Sequence, residues 1–209
     1  VPVSLTLAFS GMVLATVMGL PLGVYSAVKQ YSKSDSFLRV ASTVLVAMPT
    51  FWLAMLLILI FSLYLGWLPS GGITYGWTSY ILPTITVGVP YGSKILRMTR
   101  STMLEEIRQD YVRTARAKGV PEKVVIYKHS LKNALLPVIT TIGTSFGAIL
   151  GGSVIAESVF NLPRLGNLIV LSIEAKDTPC VLACVLLLAF FFAIIMLAVD
   201  LFYAFIDPR

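Results

Sequence analysis

Hydrophobic residues occur in long runs along this chain and do not alternate with polar ones. Residues 1–28 and 40–93 contain no charged side chain, and the apolar runs 133–156 and 178–199 are each bounded by charges. A helix needs about 20 apolar residues to cross the hydrocarbon core of a bilayer, and a spanning segment must satisfy its own backbone polar groups in lipid. The pattern therefore predicts an all-α polytopic membrane protein.

We expect five spans, with limits near 3–28, 40–65, 80–98, 133–156 and 178–203. Together they form a single transmembrane domain over residues 1–209. The third contains Pro83 and Pro90, which predicts a helix buried among others, because neighbouring helices can satisfy the carbonyl groups that a proline frees. The chain begins at Val1 without the charged region that opens a signal peptide, and we expect an earlier span to be missing.

Composition excludes an ordinary soluble domain, and charge predicts the topology. The chain is 57% hydrophobic and 12% charged, whereas charged residues make up about 25% of typical soluble domains. Of its 16 Lys and Arg residues, three lie in the loop 29–39, ten in the segment 94–132 and one at Arg209. The positive-inside rule makes that side cytoplasmic, with the N-terminus of the chain outside and its C-terminus inside. Because the basic residues follow the topology, we do not expect nucleic acid as a partner.

The side predicted to be outside carries few charges. Its loop 66–79 contains Trp67, Tyr75 and Trp77, which is typical of an interfacial aromatic belt. Glu157 lies at the outer end of the fourth predicted span. It is either a solvated charge, as an outer loop requires, or a group that receives another protein or gates the path.

Small residues recur at every fourth position of two spans. They are Gly11, Ala15, Gly19 and Gly23 in the first span and Gly143, Gly147 and Gly151 in the fourth. Such a stripe lets another helix approach closely in a membrane. The stripes either pack within the chain or line a subunit interface or a substrate path, and the sequence leaves both possibilities open.

The basic segment predicts two short helices joined at a glycine. Apolar residues of 102–118 recur at helical spacing, Gly119 ends that helix, and Pro121 with Glu122 suits the first turn of a second. Small side chains surround the joint within a cationic rim of Arg113, Arg116 and Lys118. The segment either lies on the membrane surface and binds anionic lipid, or inserts into a groove of another protein.

A family resemblance favours the second possibility. The stretch YVRTARAKG (111–119), followed by NALLP (133–137), resembles the EAA-type cytoplasmic loop of ABC importer permeases. Arg113, Thr114 and Ala115 occupy the Glu-Ala-Ala positions, and Gly119 is the glycine. The arginine in place of glutamate and the longer distance to the Leu-Pro pair are similar to the B-type dipeptide, oligopeptide and nickel permeases.

Other stretches resemble the same branch: PTFW (49–52), WLPSG (67–71), AESVFNLPRLGNLI (156–169) and FIDPR (205–209). Family members have six spans, and this chain resembles the last five. The resemblance implies a coupling helix, between the third and fourth spans within residues 99–132, that docks on an ATPase subunit. Its implied docking residues are Tyr111, Arg113, Thr114, Ala115, Arg116, Lys118, Gly119, Val120 and Pro121.

The implied machine is an importer of a prokaryotic plasma (inner) membrane. Its other parts are a second homologous permease, two ATPase subunits and an extracytoplasmic binding protein. This chain has no Gly-Lys-Ser/Thr phosphate loop, so we expect no enzymatic activity in it, with ATP and Mg²⁺ used by the ATPases. We also expect no cofactor or metal site, since Cys180 and Cys184 lack further ligands nearby.

Two alternatives remain for the solute and the class of transporter. Peptides are the first expectation, and nickel or a nickel chelate is the second, because Met48 and Met55 share one helical face. An ion-coupled secondary transporter is the rival class. Such carriers show inverted repeats and ionisable residues within their spans, whereas these span interiors are almost free of charge.

Overall fold

The computed structural model describes residues 2–162 and 165–206. Every regular element within them is helical, which confirms the predicted all-α class. The elements are α1 (Pro2–Val28), α2 (Lys33–Ala47), α3 (Thr50–Leu57) continued by a π-helical stretch (Ile58–Tyr64), a 3-10 turn (Gly76–Tyr80), α4 (Ile81–Ile107), α5 (Asp110–Ala117), α6 (Glu122–Val124) continued by a second π-helical stretch (Val125–Ser130), α7 (Leu131–Val159), α8 (Leu165–Glu174) and α9 (Thr178–Ile206).

Two helical stretches of the described chain, 4–28 and 122–150, are long and apolar enough on their own to cross a membrane. A third span results if the bent pair 33–47 and 50–64 is counted as one. α4 has sufficient length, but Lys94 and Arg97 lower its hydropathy. The total of five spans therefore stays a prediction.

The predicted span 40–65 differs from the structure, because α2 and α3 meet at an angle of 105°. The break lies at Met48 and Pro49, where Met48 has φ −69° and ψ 129°. Proline disfavours the helical conformation of the residue before it and cannot donate a backbone hydrogen bond. A chain that reads as one apolar run is therefore two helices with different directions.

α1 and α4 approach so closely that their backbones touch. A Cβ atom built on Gly19 would overlap the carbonyl oxygen of Gly92, and one on Gly23 would lie 2.8 Å from that of Leu96. Gly11 similarly abuts Val87, with 2.6 Å to its Cγ2. The three glycines of the first stripe thus lie at a contact within the chain.

The glycines of the fourth predicted span lie in α7. A Cβ on Gly147 would overlap the ring of Phe192 in α9, and Gly143 is buried. Gly151 also belongs to α7, but its surroundings lie outside the described side chains. The Gly147 contact involves a side chain, in contrast to the backbone contacts of α1 with α4.

α4 is the central helix of the bundle. A single buried cluster joins Leu7 and Met12 of α1, Val87 and Ile95 of α4, and Val138 of α7. Pro90 lies inside α4 without ending it, as the prediction of a helix buried among others implies.

The loop 66–79 is seated on the end of α7. The backbone N–H of Gly72 donates to the carbonyl oxygen of Phe160 at 2.9 Å, and a Cβ on Gly71 would overlap the same oxygen. Glu157 is only 1% exposed and accepts a hydrogen bond from the backbone N–H of Gly166 at 2.9 Å. The interpretation of Glu157 as a solvated charge is therefore wrong, because the start of α8 folds back over its carboxylate.

We predict that Gly19→Ala is more destabilising than Gly147→Ala. The first methyl group would meet backbone, which cannot rotate away, whereas the second meets a ring that can. Overpacking costs typically about 1–3 kcal/mol, and we expect the upper end for Gly19→Ala. Thermal unfolding of the purified protein in detergent measures the difference, with Val17→Ala on the exposed row of α1 as control. Equal unfolding midpoints for the two glycine variants would contradict the packing described.

Candidate functional site

The candidate site is the basic segment that follows the membrane part of α4. The predicted helix 102–118 is in fact divided, since residues 102–107 continue α4 and α5 begins at Asp110. The division lies at Arg108 and Gln109, and Gln109 is extended with φ −67° and ψ 152°. α5 therefore leaves the axis of α4 and is a separate helix of eight residues.

α5 ends in an open turn at Gly119, where φ is +76° and no atom lies within 4 Å of the position that a Cβ atom would occupy. The N–H of Gly119 donates to the carbonyl of Arg116 at 2.9 Å, and that of Val120 to the carbonyl of Ala115 at 3.3 Å. This is the left-handed helix end that glycine favours. The glycine is thus required by backbone conformation and leaves the surface of the turn unobstructed.

The predicted docking residues form one largely exposed surface around this turn. Tyr111 is 39% exposed, and Ala115 and Val120 are half-buried. The exposed members are Arg113, Thr114, Arg116, Lys118, Gly119 and Pro121. Val112, which was not among the predicted residues, is by contrast fully buried. Its side chain fixes α5 to the molecule and leaves the opposite side of the helix accessible.

Ion pairs reduce the positive charge of the rim. The Arg116 guanidinium donates to both carboxylate oxygens of Glu122, at 2.8 and 3.1 Å, across the Gly119 turn. The same contact lowers the pKa of Glu122. Arg113 lies 3.5 Å from Asp110. Exposed pairs contribute at most about 1 kcal/mol, so the Arg116–Glu122 pair orients the turn more than it stabilises the fold.

Tyr111 connects three helices. Its hydroxyl donates to the carboxylate of Glu106 at the end of α4 and accepts from the side-chain amide of Asn133 in α7 at 3.0 Å. Burial, and then the hydrogen bond to Glu106, raises the pKa of Tyr111. A buried cluster also joins the segment to the bundle, and it contains Val24 of α1, Met103 of α4 and Ile126. The segment is therefore held against the membrane bundle.

The base of the segment is held by a buried ion pair that sequence reasoning missed. The Arg100 guanidinium donates to both oxygens of Asp35, at 2.7 and 2.9 Å. Asp35 is fully buried, and it also accepts from Ser26 at 2.5 Å and from the backbone N–H of Tyr31 at 3.0 Å. This carboxylate joins α1, the start of α2 and α4.

A local signal for Asp35 was present in the sequence. Ser32 precedes it by three residues, and the Ser32 hydroxyl accepts from the Asp35 backbone N–H at 3.1 Å, as a helix N-cap does. The partner Arg100 lies 65 positions away, and no local pattern connects the two. The pair could be found only from the fold.

The groups of this segment suit contact with a protein surface or with anionic lipid. The segment offers an open turn, small side chains and donor groups of Arg113 and Lys118. No cluster of three or more His, Cys, Asp or Glu side chains with metal-binding geometry occurs within the described residues.

Comparison with known proteins gives concordant matches. A family model described as binding-protein-dependent transport system inner membrane component matches residues 19–209. The chain is 42% identical over 205 residues to the glutathione transport system permease protein GsiC of Escherichia coli strain K12 and 43% identical to that of Salmonella typhimurium strain LT2. Each alignment covers 98% of this chain and 67% of the relative.

The fold is similar to that of a solved structure, the inward-facing MetNI methionine ABC transporter. The TM-score is 0.78 at 18% sequence identity, and the match covers 98% of this chain and 93% of the other. At that identity the likeness shows the fold alone.

We predict that Asp35→Asn destabilises the protein by about 3 kcal/mol, because breaking one partner of a buried ion pair leaves a buried charge uncompensated. Asp110→Asn is the matched control, since it breaks the exposed pair with Arg113 and should cost less than about 1 kcal/mol. Unfolding midpoints in detergent measure both. Equal changes in the unfolding midpoint for the two substitutions would contradict a larger contribution of the buried Asp35–Arg100 pair to stability.

The same pair predicts a pH dependence. Asp35 lies in the first turn of α2, before the predicted span 40–65, and Arg100 holds the pKa of its carboxyl well below the usual range. A carboxyl with a lowered folded pKa contributes stability above its unfolded pKa, about 3.9 for aspartate, and loses it as pH falls through the folded value. The stability difference between wild type and Asp35→Asn should be constant from about pH 5 to 8 and shrink below about pH 4. A stability difference that grows as the pH falls would contradict the predicted direction of the pH dependence.

Proposed function

Since this chain belongs to the family of binding-protein-dependent transport system inner membrane components, the permease subunits of ABC importers, we propose that it forms part of a translocation path for short peptides. Membership confirms the resemblance read from the motifs. It also makes the chain a multi-pass component of the inner membrane. The rival class, an ion-coupled secondary transporter, is thereby disfavoured.

The observation that supports an importer driven by ATPase subunits is the open Gly119 turn at the end of α5. It projects small side chains and an unobstructed glycine, while Val112 and Tyr111 fix the helix to the bundle. In the proposed machine this surface docks on an ATPase subunit. Two ATPases use ATP and Mg²⁺, and a second homologous permease and an extracytoplasmic binding protein complete the assembly.

A peptide solute is supported by the relatives. Both GsiC proteins are described as glutathione transport permeases, and glutathione is a tripeptide. Nickel or a nickel chelate, the second candidate from the motifs, has no comparable support among these relatives. We therefore propose a short peptide or a glutathione-like compound as the solute.

The proposed orientation follows the charge distribution. α4 would run from the outer aromatic residues Trp77 and Tyr80 to the basic segment on the cytoplasmic side. The N-terminus of the chain is then outside and its C-terminus cytoplasmic. In this orientation the Gly119 turn faces the compartment in which ATP is available.

The proposed mechanism depends on how α5 is attached. Closure of the ATPases on ATP would displace α5, and Tyr111 would pass the displacement to α4 through Glu106 and to α7 through Asn133. A ligand shifts a conformational equilibrium only by binding one state better than the other. ATP satisfies this condition if the ATPases close only around nucleotide.

We predict that Gly119→Pro and Ala115→Trp abolish ATP-driven uptake while the protein remains inserted in the membrane. Proline fixes φ near −65° and cannot adopt the +76° of Gly119, and tryptophan would fill the docking surface. The measurement is co-purification of the ATPase subunits with each variant, together with solute uptake in reconstituted vesicles.

Gly76→Pro is the matched control. Gly76 also has a positive φ, +65°, with no atom within 4 Å of a Cβ position, but it precedes α4, at the opposite end of that helix. Gly76→Pro should retain the ATPase subunits. Normal uptake and normal ATPase retention by both docking variants would rule out the assignment of this turn.

A further inference from the structure

The exposed residues of α4 are all polar. They are Lys94, Arg97, Ser101 and Glu105, and their spacings of three and four place them in one row along the helix. The structure describes every side chain of this helix, so the row is complete. A helix at the centre of a membrane bundle therefore shows a polar side where lipid would require an apolar one.

α7 carries a row that is polar in part, whereas the exposed rows of α1 and α9 are mainly apolar. The exposed residues of α7 between 133 and 148 are the polar Asn133, Thr140 and Thr144 and the small apolar Pro137 and Ala148. By contrast, Val17 of α1 and Leu186 of α9 are each 68% exposed and apolar. Exposed apolar rows suit lipid, and exposed polar rows suit water or protein.

The two cations of α4 lie near the inner end of the predicted span 80–98. At a rise of 1.5 Å per residue, Lys94 lies about 6 Å and Arg97 about 2 Å from that end. Long basic side chains at such a position extend towards the cytoplasmic interface or into a water-filled cavity.

Neither cation is neutralised by the described part of the chain, where no acidic group lies within ion-pair distance of Lys94 or Arg97. Arg100, the next basic residue of α4, is by contrast paired with Asp35 at 2.7 Å. Both cations are therefore available to an anion from outside the chain.

The other sides of α4 are occupied. Gly92 faces α1, Arg100 faces the start of α2, and Met98 packs on the cluster that contains Val138 of α7. The row is the side left open. Towards the outside it is closed one turn above Lys94, where Thr50 of α3, Thr86 and Tyr91 line a cavity of about 40 Å³. The open part is thus the inner half.

We infer that the exposed polar row of α4 and the exposed polar residues Asn133, Thr140 and Thr144 of α7 line the inner half of the translocation path, and that Lys94 and Arg97 bind a carboxylate of the solute there. The inference rests on the proposed function of the chain as an importer permease. It assigns the path to two helices and gives its inner half a preference for anionic groups.

The two rows are chemically complementary to a peptide. Lys and Arg side chains offer only donors, which a carboxylate accepts. Thr144 donates its own hydroxyl to the carbonyl of Thr140 at 3.0 Å, so its oxygen is left as an acceptor. A peptide placed between the rows would direct its carboxylate to α4 and an N–H group to α7.

Cysteine labelling tests the path without knowledge of the natural solute. Thr140→Cys, in a Cys180→Ala and Cys184→Ala background, is reacted in the assembled transporter with an anionic and a cationic methanethiosulfonate reagent. Relative to a free thiol, the anionic reagent should be favoured about tenfold, the order of one charge-assisted hydrogen bond. Lys94→Gln with Arg97→Gln should remove the preference.

The controls separate charge from position. Lys29→Gln with Lys33→Gln removes the same charge from the exposed loop 29–39 and should leave the preference unchanged. Val17→Cys and Leu186→Cys, on the apolar rows, should react much more slowly than Thr140→Cys. If the double glutamine variant does not assemble, Ser101→Glu tests the same point by adding a negative charge one turn from Arg97 and two turns from Lys94.

Three outcomes would overturn the inference. In the first, Thr140→Cys reacts no faster than Val17→Cys. In the second, the preference for the anionic reagent survives removal of both cations. In the third, the glutamine variants lose assembly with the second permease, while the Ser101→Glu variant keeps the preference for the anionic reagent. The same labelling in nanodiscs with and without phosphatidylglycerol tests whether a lipid phosphate binds the two cations. Loss of the preference for the anionic reagent when that lipid is added would count against a solute site.

A transport measurement extends the test to the solute. ATP-driven uptake of glutathione and of its diethyl ester, whose carboxyl groups are neutral, is compared in wild type and in the Lys94→Gln, Arg97→Gln variant. The wild type should favour glutathione and the variant should not. Absence of uptake of both compounds by wild type would contradict the proposed solute, while the labelling result would still decide the lining of the path.

Discussion

The close approach of α1 and α4 is the constraint on which the rest of the structure depends. At Gly19 and Gly92 the two backbones touch, and a single added methyl group would overlap a carbonyl oxygen. Lipid supplies no hydrophobic force between helices, so association in a membrane relies on such packing and on polar contacts. Arg100 adds a polar contact at the inner end of the same pair, where its partner Asp35 also binds Ser26 of α1. α4 is thereby fixed along its length.

A fixed α4 places the two proposed functional surfaces on one rigid element. Its inner half presents Lys94 and Arg97 on the side that no other described helix covers. Its end carries α5 and the Gly119 turn, attached through Glu106 and Tyr111. In the proposed importer, a displacement imposed on the turn would therefore reach the side of α4 that faces the solute.

Local patterns predicted the helical membrane class and the turn at Gly119, because both depend on residues close in sequence. The bend between α2 and α3 was also signalled by Pro49, but the uninterrupted apolar run concealed it. The Asp35–Arg100 pair and the burial of Glu157 could not be predicted. Each depends on groups brought together by tertiary packing, from 65 positions away for Arg100 and from the following helix for the backbone of Gly166. The polar row of α4 was present in the sequence as Lys94 and Arg97, but only the packing shows which side of the helix stays open.

The central claim is that the Gly119 turn is the surface on which a nucleotide-binding subunit docks. The most direct measurement places a photoreactive p-benzoylphenylalanine at Thr114, an exposed residue of α5, in the purified complete transporter. Illumination should join this chain to the ATPase subunit, identified by mass and by a peptide that contains its phosphate-binding loop. A product with lipid alone, from a complex that still retains its ATPases, would contradict the account.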